Sequence, residues 1–225
     1  EISEIYIRER KPDKDLRYIL RLAEEKGLKP NFVSEKFFEE NAQGKTHGGI
    51  LAFAGERKFV PEDALFEDEN PMIALLEGIE DPYNFGCAVR SLYAAGATGL
   101  LLPERNWMSA AGTVIRSSAG ASERIKAAKT ENLPGFLQKA KQHGIKIICA
   151  ERRDAVSLYS ADLTGGILLA IGGEKRGVSK TVFDAADSRV FIPYGRDFRN
   201  SISASAASAV FAFEILRQRQ KNKAK

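Results

Sequence analysis

The chain has 225 residues, 44% hydrophobic and 28% charged, an ordinary globular balance with room for one large or two modest domains. A formal net charge of +4 permits a nucleic-acid partner without demanding one, and two isolated cysteines, Cys87 and Cys149, cannot build a zinc cluster. No window approaches the roughly 18 uninterrupted apolar residues of a membrane span and no signal peptide is visible, so a soluble, reducing, cytoplasmic setting is expected.

The first residue is Glu, so a natural N-terminus lying upstream is expected. Ile5-Tyr6-Ile7 alternates with polar neighbours and reads as a short strand. From Asp13 to Lys26, Leu16, Ile19, Leu20 and Ala23 recur at helical spacing, closed by Gly27. Phe32-Val33 reads as a second strand, Ser34 as the cap of a brief helix through Asn41, and Gly49 to Ala54 as a third strand. Residues 1–55 thus form a small α/β unit. Its His47, in Thr46-His47-Gly48-Gly49, reads as a loop histidine satisfied by backbone. Residues 56–70, acidic and without sustained periodicity, read as a linker.

Residues 71–225 alternate strand and helix. Met72–Leu76, Leu100–Leu102, Ile145–Ala150, Ile167–Ile171 and Val190–Ile192 read as strands. Asn84–Ala95, Ala110–Ser117 and Asn132–Gln142 read as helices. A last helix from about Ser201 to Arg219 carries an apolar stripe of Ile202, Ala206, Ala209, Val210, Phe213 and Leu216. Such alternation predicts an α/β fold, with a mostly parallel sheet covered by helices on both faces.

Two strands end in glycine-bearing turns, Gly172-Gly173-Glu174-Lys175-Arg176-Gly177 and Ile192-Pro193-Tyr194-Gly195. Ligands bind outside the carboxyl ends of strands in such sheets, where glycines let backbone amides approach, so a nucleoside-sized cofactor fits there. Asn84 reads as a helix cap with Gly86 and Arg90 on one helix face, either a phosphate seat or a surface arginine over a packed glycine. Glu174 is the carboxylate of the first turn and fits a base, an ion-pair partner or a cap. The small-sided run from Ser201 to Ser208 invites a serine-hydrolase reading, but the Gly-x-Ser-x-Gly elbow is absent and neither histidine suits a triad. No metal-ligand spacing exists. A nucleotide-binding oxidoreductase is disfavoured because no Gly-x-Gly-x-x-Gly follows the first strand of this domain.

Together these stretches resemble the SPOUT methyltransferases, in particular the SpoU/TrmH-like branch that methylates ribose 2'-hydroxyls in RNA. Asn84, Gly86 and Arg90 match its first motif, Gly172, Glu174 and Gly177 its second, and Ile192-Pro193 with the small-residue helix its third. Ser118-Ala119-Gly120-Ala121 and Thr46-His47-Gly48-Gly49 also look like the family. The resemblance implies a deep trefoil knot in the C-terminal domain and a small substrate-binding domain before it. It implies S-adenosylmethionine as cofactor, lined by Leu169, Gly172, Gly173, Gly177, Ile192, Asn200, Ser201 and Ile202, with Ser203 facing the site. It further implies an RNA substrate, ribosomal rather than transfer RNA. The implied homodimer forms through the C-terminal domain, with Asn84 and Arg90 of one subunit facing the other's methyl donor.

The third motif departs from the family's Ser-Leu-Asn-x-Ser: the stretch here is Arg199-Asn200-Ser201-Ile202-Ser203, with Ser201 where the family has Asn. The small domain also lacks the family's usual first helix. Family proposals make Arg90 the base, but an arginine is a poor proton acceptor. Arg90 is better suited to holding a phosphate, with Glu174 as the runner-up for proton transfer. The altered third motif keeps a second reading open, a catalytically silent RNA-binding or ribosome-assembly factor on the same fold.

Overall fold

The computed structural model describes residues 2–42, 47–103 and 110–223, so Thr46 lies outside the described residues. The chain divides into two compact units, Glu1–Lys58 and Phe59–Lys225.

In the first unit, β1 (Ile2–Arg8) pairs in parallel with β2 (Asn31–Val33) and antiparallel with β3 (Ile50–Ala54), giving the order β2-β1-β3. Ile5 and Ile7 point to one face, where α1 (Lys14–Glu25) buries Leu16. Asp13 caps α1 by accepting the Leu16 amide at 2.8 Å. On the other face Tyr6 stacks on Phe37 of α2 (Glu35–Asn41), with ring centres 4.5 Å apart. Ser34 stands at the cap position of α2, but its side chain makes no capping bond. His47 stacks on Phe38 at 4.8 Å, and its Nδ1 accepts the Gly49 amide at 3.0 Å.

The second unit is a seven-stranded sheet in the order β6-β5-β4-β9-β7-β10-β8, in which every pair is parallel. Its strands are β4 (Met72–Glu77), β5 (Gly99–Pro103), β6 (Lys126–Thr130), β7 (Lys146–Ala150), β8 (Val156–Ser157), β9 (Ile167–Gly172) and β10 (Ser188–Phe191). The central strands are apolar throughout because both faces are covered. Met72, Ala74 and Leu76 of β4 face α3 (Pro82–Ala94), α4 (Ala111–Ser117) and α7 (Ala204–Lys223). Ile73 and Leu75 face α5 (Leu133–Gln142) and α6 (Lys180–Ala185).

Several expectations change. The stretch read as a linker contributes a 3₁₀ turn, Glu62–Leu65, and sends Leu65 and Phe66 into the second unit's core, while the Val60 amide donates to Ala127. Asp81, not Asn84, caps α3: its carboxylate accepts the Tyr83 and Asn84 amides at 3.0 and 3.3 Å, and Pro82 opens the helix. The last helix begins at Ala204, not Ser201, with Ser203 as its cap. Its buried face is Ala204, Ser208, Phe211, Ala212 and Ile215, whereas Phe213 of the expected stripe is 49% exposed. Small residues at i, i+4 and i+8 (Ala204, Ser208, Ala212) let α7 lie close against α3, and Phe211 and Ile215 beside them fill the core.

Candidate active site

Strands β7, β9 and β10 end side by side, and the loops leaving them wall a cavity of about 200 Å³. Ala150, Glu151 and Arg152 come from the first loop, Gly172, Gly173, Glu174 and Gly177 from the second, and Ile192, Tyr194, Ser201 and Ile202 from the third. Ile171 and Phe211 give it apolar walls.

The second loop is laced to itself and to the end of β4. The Gly173 amide donates to the Glu77 carbonyl at 2.7 Å, and the Gly177 amide donates to the Gly173 carbonyl at 2.9 Å. A Cβ on Gly172 would lie 2.0 Å from the Gly177 carbonyl carbon. The glycine requirement here comes from chain meeting chain, and the expected close approach to a ligand is secondary to it. Two side chains strap the same crossing from outside. Lys175 Nζ reaches Glu80 at 2.6 Å and holds the Glu80 carboxyl below its usual range, and Glu77 accepts the Ser179 amide at 2.8 Å.

The third loop is closed by Tyr194, whose hydroxyl accepts the Ile202 amide at 3.0 Å. Across the cavity mouth the Arg152 guanidinium lies 4.2 Å from the centre of the Tyr194 ring. The Glu151 carboxylate accepts the Arg152 and Arg153 amides at 2.7 and 3.2 Å, which fixes a negative charge at the end of β7. Sequence reading missed Glu151, Arg152, Tyr194 and Phe211. Tyr194 stood within a quoted turn, but nothing in its spacing announced a hydrogen bond eight residues onward.

Of the residues singled out in sequence, Gly172, Gly173, Glu174, Gly177, Ile192, Ser201 and Ile202 border the cavity. Leu169 does not: it is fully buried in β9 among the side chains of α3 and α7. Asn200 is exposed on the loop outside the lining. Ser203 is also outside, with its Oγ accepting the Ala206 amide at 3.2 Å as the cap of α7. Asn84 and Arg90 lie on α3, away from this chain's own cavity, and Arg90 is exposed. Gly86 is no phosphate seat, since a Cβ there would stand 1.9 Å from Ser117 Oγ of α4, so it is a helix-packing glycine beneath an exposed arginine.

The walls suit a flat heteroaromatic ring between apolar side chains, the three strand ends offer backbone donors and acceptors, and Glu151 and Glu174 favour a positive centre. Among the described residues no group of three or more His, Cys, Asp or Glu side chains is placed to hold a metal, and no helix is long and apolar enough to cross a membrane.

Comparison with known proteins agrees with this geometry. Residues 71–213 match the SpoU rRNA methylase family, and residues 1–60 match the substrate-binding domain of RNA 2'-O ribose methyltransferases. The 23S rRNA (guanosine-2'-O-)-methyltransferase RlmB of Shewanella oneidensis is 28% identical over 223 residues, covering 97% of this chain and 90% of that protein. Its counterpart from Pasteurella multocida is 29% identical, covering 97% and 91%. The crystal structure of the SpoU methyltransferase AviRb from Streptomyces viridochromogenes in complex with AdoMet superimposes with a TM-score of 0.81 at 21% identity, covering 98% of this chain and 84% of that one.

Proposed function

The chain belongs to the SpoU rRNA methylase family, and from that premise we propose that it transfers a methyl group from S-adenosylmethionine to the ribose 2'-hydroxyl of a guanosine in ribosomal RNA. The observation that carries the reading is the cavity at three adjacent strand ends, with apolar walls and with Glu151, Glu174 and Arg152 at its rim. The names of the RlmB relatives support the nucleotide and the RNA, and the AdoMet complex of AviRb supports the donor.

S-adenosylmethionine supplies an already activated sulfonium methyl, so the chain's task is to align an in-line attack and take up one proton. Alignment alone is worth roughly 7–11 kcal/mol of barrier. Gly172, Gly173, Ile192 and Ile202 hold the donor in this reading, with the strand-end backbone supplying most hydrogen bonds. Glu174, exposed and without a hydrogen bond among the described residues, takes the proton. Arg90 holds the phosphate beside the target ribose, since a guanidinium keeps its protons at neutral pH and presents only donors.

Asn84 and Arg90 do not line their own chain's cavity, and in this reading a second copy brings them to it. Tyr93 of α3, Ile115 of α4 and Phe213 of α7 expose the apolar surface for such a homodimer. The reading also includes the trefoil knot, a cytoplasmic setting, and RNA capture by the first unit. The silent-factor reading draws on one observation, that Ser203 caps α7 and does not line the cavity.

The deciding experiment is transfer of labelled methyl to RNA from cells lacking this protein, followed by nucleoside analysis. Label in 2'-O-methylguanosine of ribosomal RNA is expected. Label on a base, or none despite donor binding, overturns the reading.

A further inference from the structure

Beside the donor cavity lies a second one of about 290 Å³, which shares Arg152, Phe191, Ile192 and Tyr194 with it and has Arg196-Asp197-Phe198 as its outer wall. Its lining is aromatic and basic. Arg152 covers the Tyr194 ring, and the Phe198 ring stands 6.1 Å from Tyr194 at 43°. Phe198 is 50% exposed at the mouth. The bond from the Ile202 amide to the Tyr194 hydroxyl keeps this platform in place, and Ile202 itself lines the donor cavity. Arg152, Arg196 and Arg199 have no carboxylate ion-pair partner among the described residues. Asp197 is the one carboxylate that lines this second cavity.

We propose that this second cavity seats a single unstacked guanine base of the substrate RNA, directly beside the methyl donor. The inference rests on the methyltransferase reading above and adds the groups that recognise the base. Aromatic rings and guanidinium planes stack bases splayed out of single-stranded RNA, and unpaired arginines next to them meet the flanking phosphates. Stacking accepts any base, so selection falls to Asp197. Guanine alone among the RNA bases presents two adjacent donors, N1–H and N2–H, on its pairing edge, and an ionised carboxylate has two acceptor oxygens to match them. The wall shared with the donor cavity puts that base within reach of the methyl-transfer site.

The test uses the whole chain saturated with S-adenosylhomocysteine and titrated with short oligouridylates that carry one guanosine, inosine or adenosine. Guanosine is expected to bind more tightly than inosine, which lacks the N2 amine, and than adenosine. Phe198→Ala should weaken all three about tenfold. Asp197→Asn should erase the advantage of guanosine over inosine, weakening guanosine more than inosine, which keeps N1–H but offers no N2 amine. Equal or absent binding of the three oligonucleotides, a Phe198→Ala protein that binds like the parent, or an Asp197→Asn protein that keeps the preference overturns the inference. So does a Phe198→Ala change that weakens S-adenosylhomocysteine and not RNA, since the cavity would then belong to the donor. Melting with and without S-adenosylhomocysteine separates the two levels. Stabilisation of parent and variants alike with no base effect sinks only the guanine seat, whereas no stabilisation of the parent sinks the methyltransferase reading.

Discussion

A methyl group added to Gly173 would stand 2.0 Å from the carbonyl oxygen of Gly78, so the loop after β9 and the loop after β4 touch at a place that admits only hydrogen. Gly173→Ala must push one backbone off the other. The expected loss is about 3 kcal/mol of stability, at the high end for overpacking, together with donor binding. Gly112→Ala in α4 is the matched control: the residue is exposed and helical, a Cβ there would meet only the Arg116 guanidinium at 3.6 Å, and the change should gain up to about 1 kcal/mol. Paired thermal melts with and without S-adenosylhomocysteine read both effects.

Tyr194→Phe removes the acceptor of the Ile202 amide and leaves the ring under Arg152. The amide lies at the cavity wall, so the change should cost about 1 kcal/mol and weaken donor affinity about fivefold. Calorimetric titration with S-adenosylhomocysteine checks it. Unchanged affinity would mean that the loop holds its shape without this bond.

Arg90→Ala should abolish methyl transfer while donor affinity stays within about twofold, because no residue of α3 lines the cavity. In heterodimers pairing an Arg90→Ala chain with a Glu174→Gln chain, one of the two sites combines both lesions and the other has neither. About half the parental activity should therefore return. Failure to complement would place Arg90 in its own chain's reaction.

Asp162, outside the cavity lining, provides a pH handle. Lys146 at 2.5 Å, and then Thr164 through its hydroxyl and amide, hold the Asp162 carboxyl at about 2, against an ordinary 3.8. A depressed native value contributes stability that is full above the unfolded value and lost as pH falls toward 2. The side chain is 64% exposed, so solvent screening keeps the contribution below about 1 kcal/mol. Asp162→Asn should lower the urea midpoint slightly at pH 7, with the difference shrinking as pH falls from about 4 through about 2.

The core strands were legible because β4, β5, β7 and β9 are buried on both faces, which writes them as short apolar runs. β6 was not legible: Lys126-Ala-Ala-Lys-Thr has almost no β-branched or aromatic side chains and owes its conformation to pairing at a sheet edge. α6, six residues long, is too short to show a period, and β8 has two residues. The glycine turn and Ile192 were readable from local sequence because they sit on the loops leaving the strands. Arg152 and Phe211 come to the cavity from another strand end and from the last helix, a juxtaposition that only tertiary packing creates. Leu169 shows the reverse error, since residing on the right strand does not decide which face a side chain takes.

The pairing of β4 with β9 joins Met72 to Ile167, partners 95 positions apart (72 to 167). The strand at the middle of the sheet therefore waits for the chain between them to be placed before its main hydrogen-bond ladder can close. Sheets built from such distant parallel partners acquire native order slowly, because loop-closure entropy is spent before the contacts that offset it form. The donor cavity, assembled from the ends of β7, β9 and β10, is thus expected among the last features to form during refolding, with return of S-adenosylhomocysteine binding lagging behind recovery of helical content.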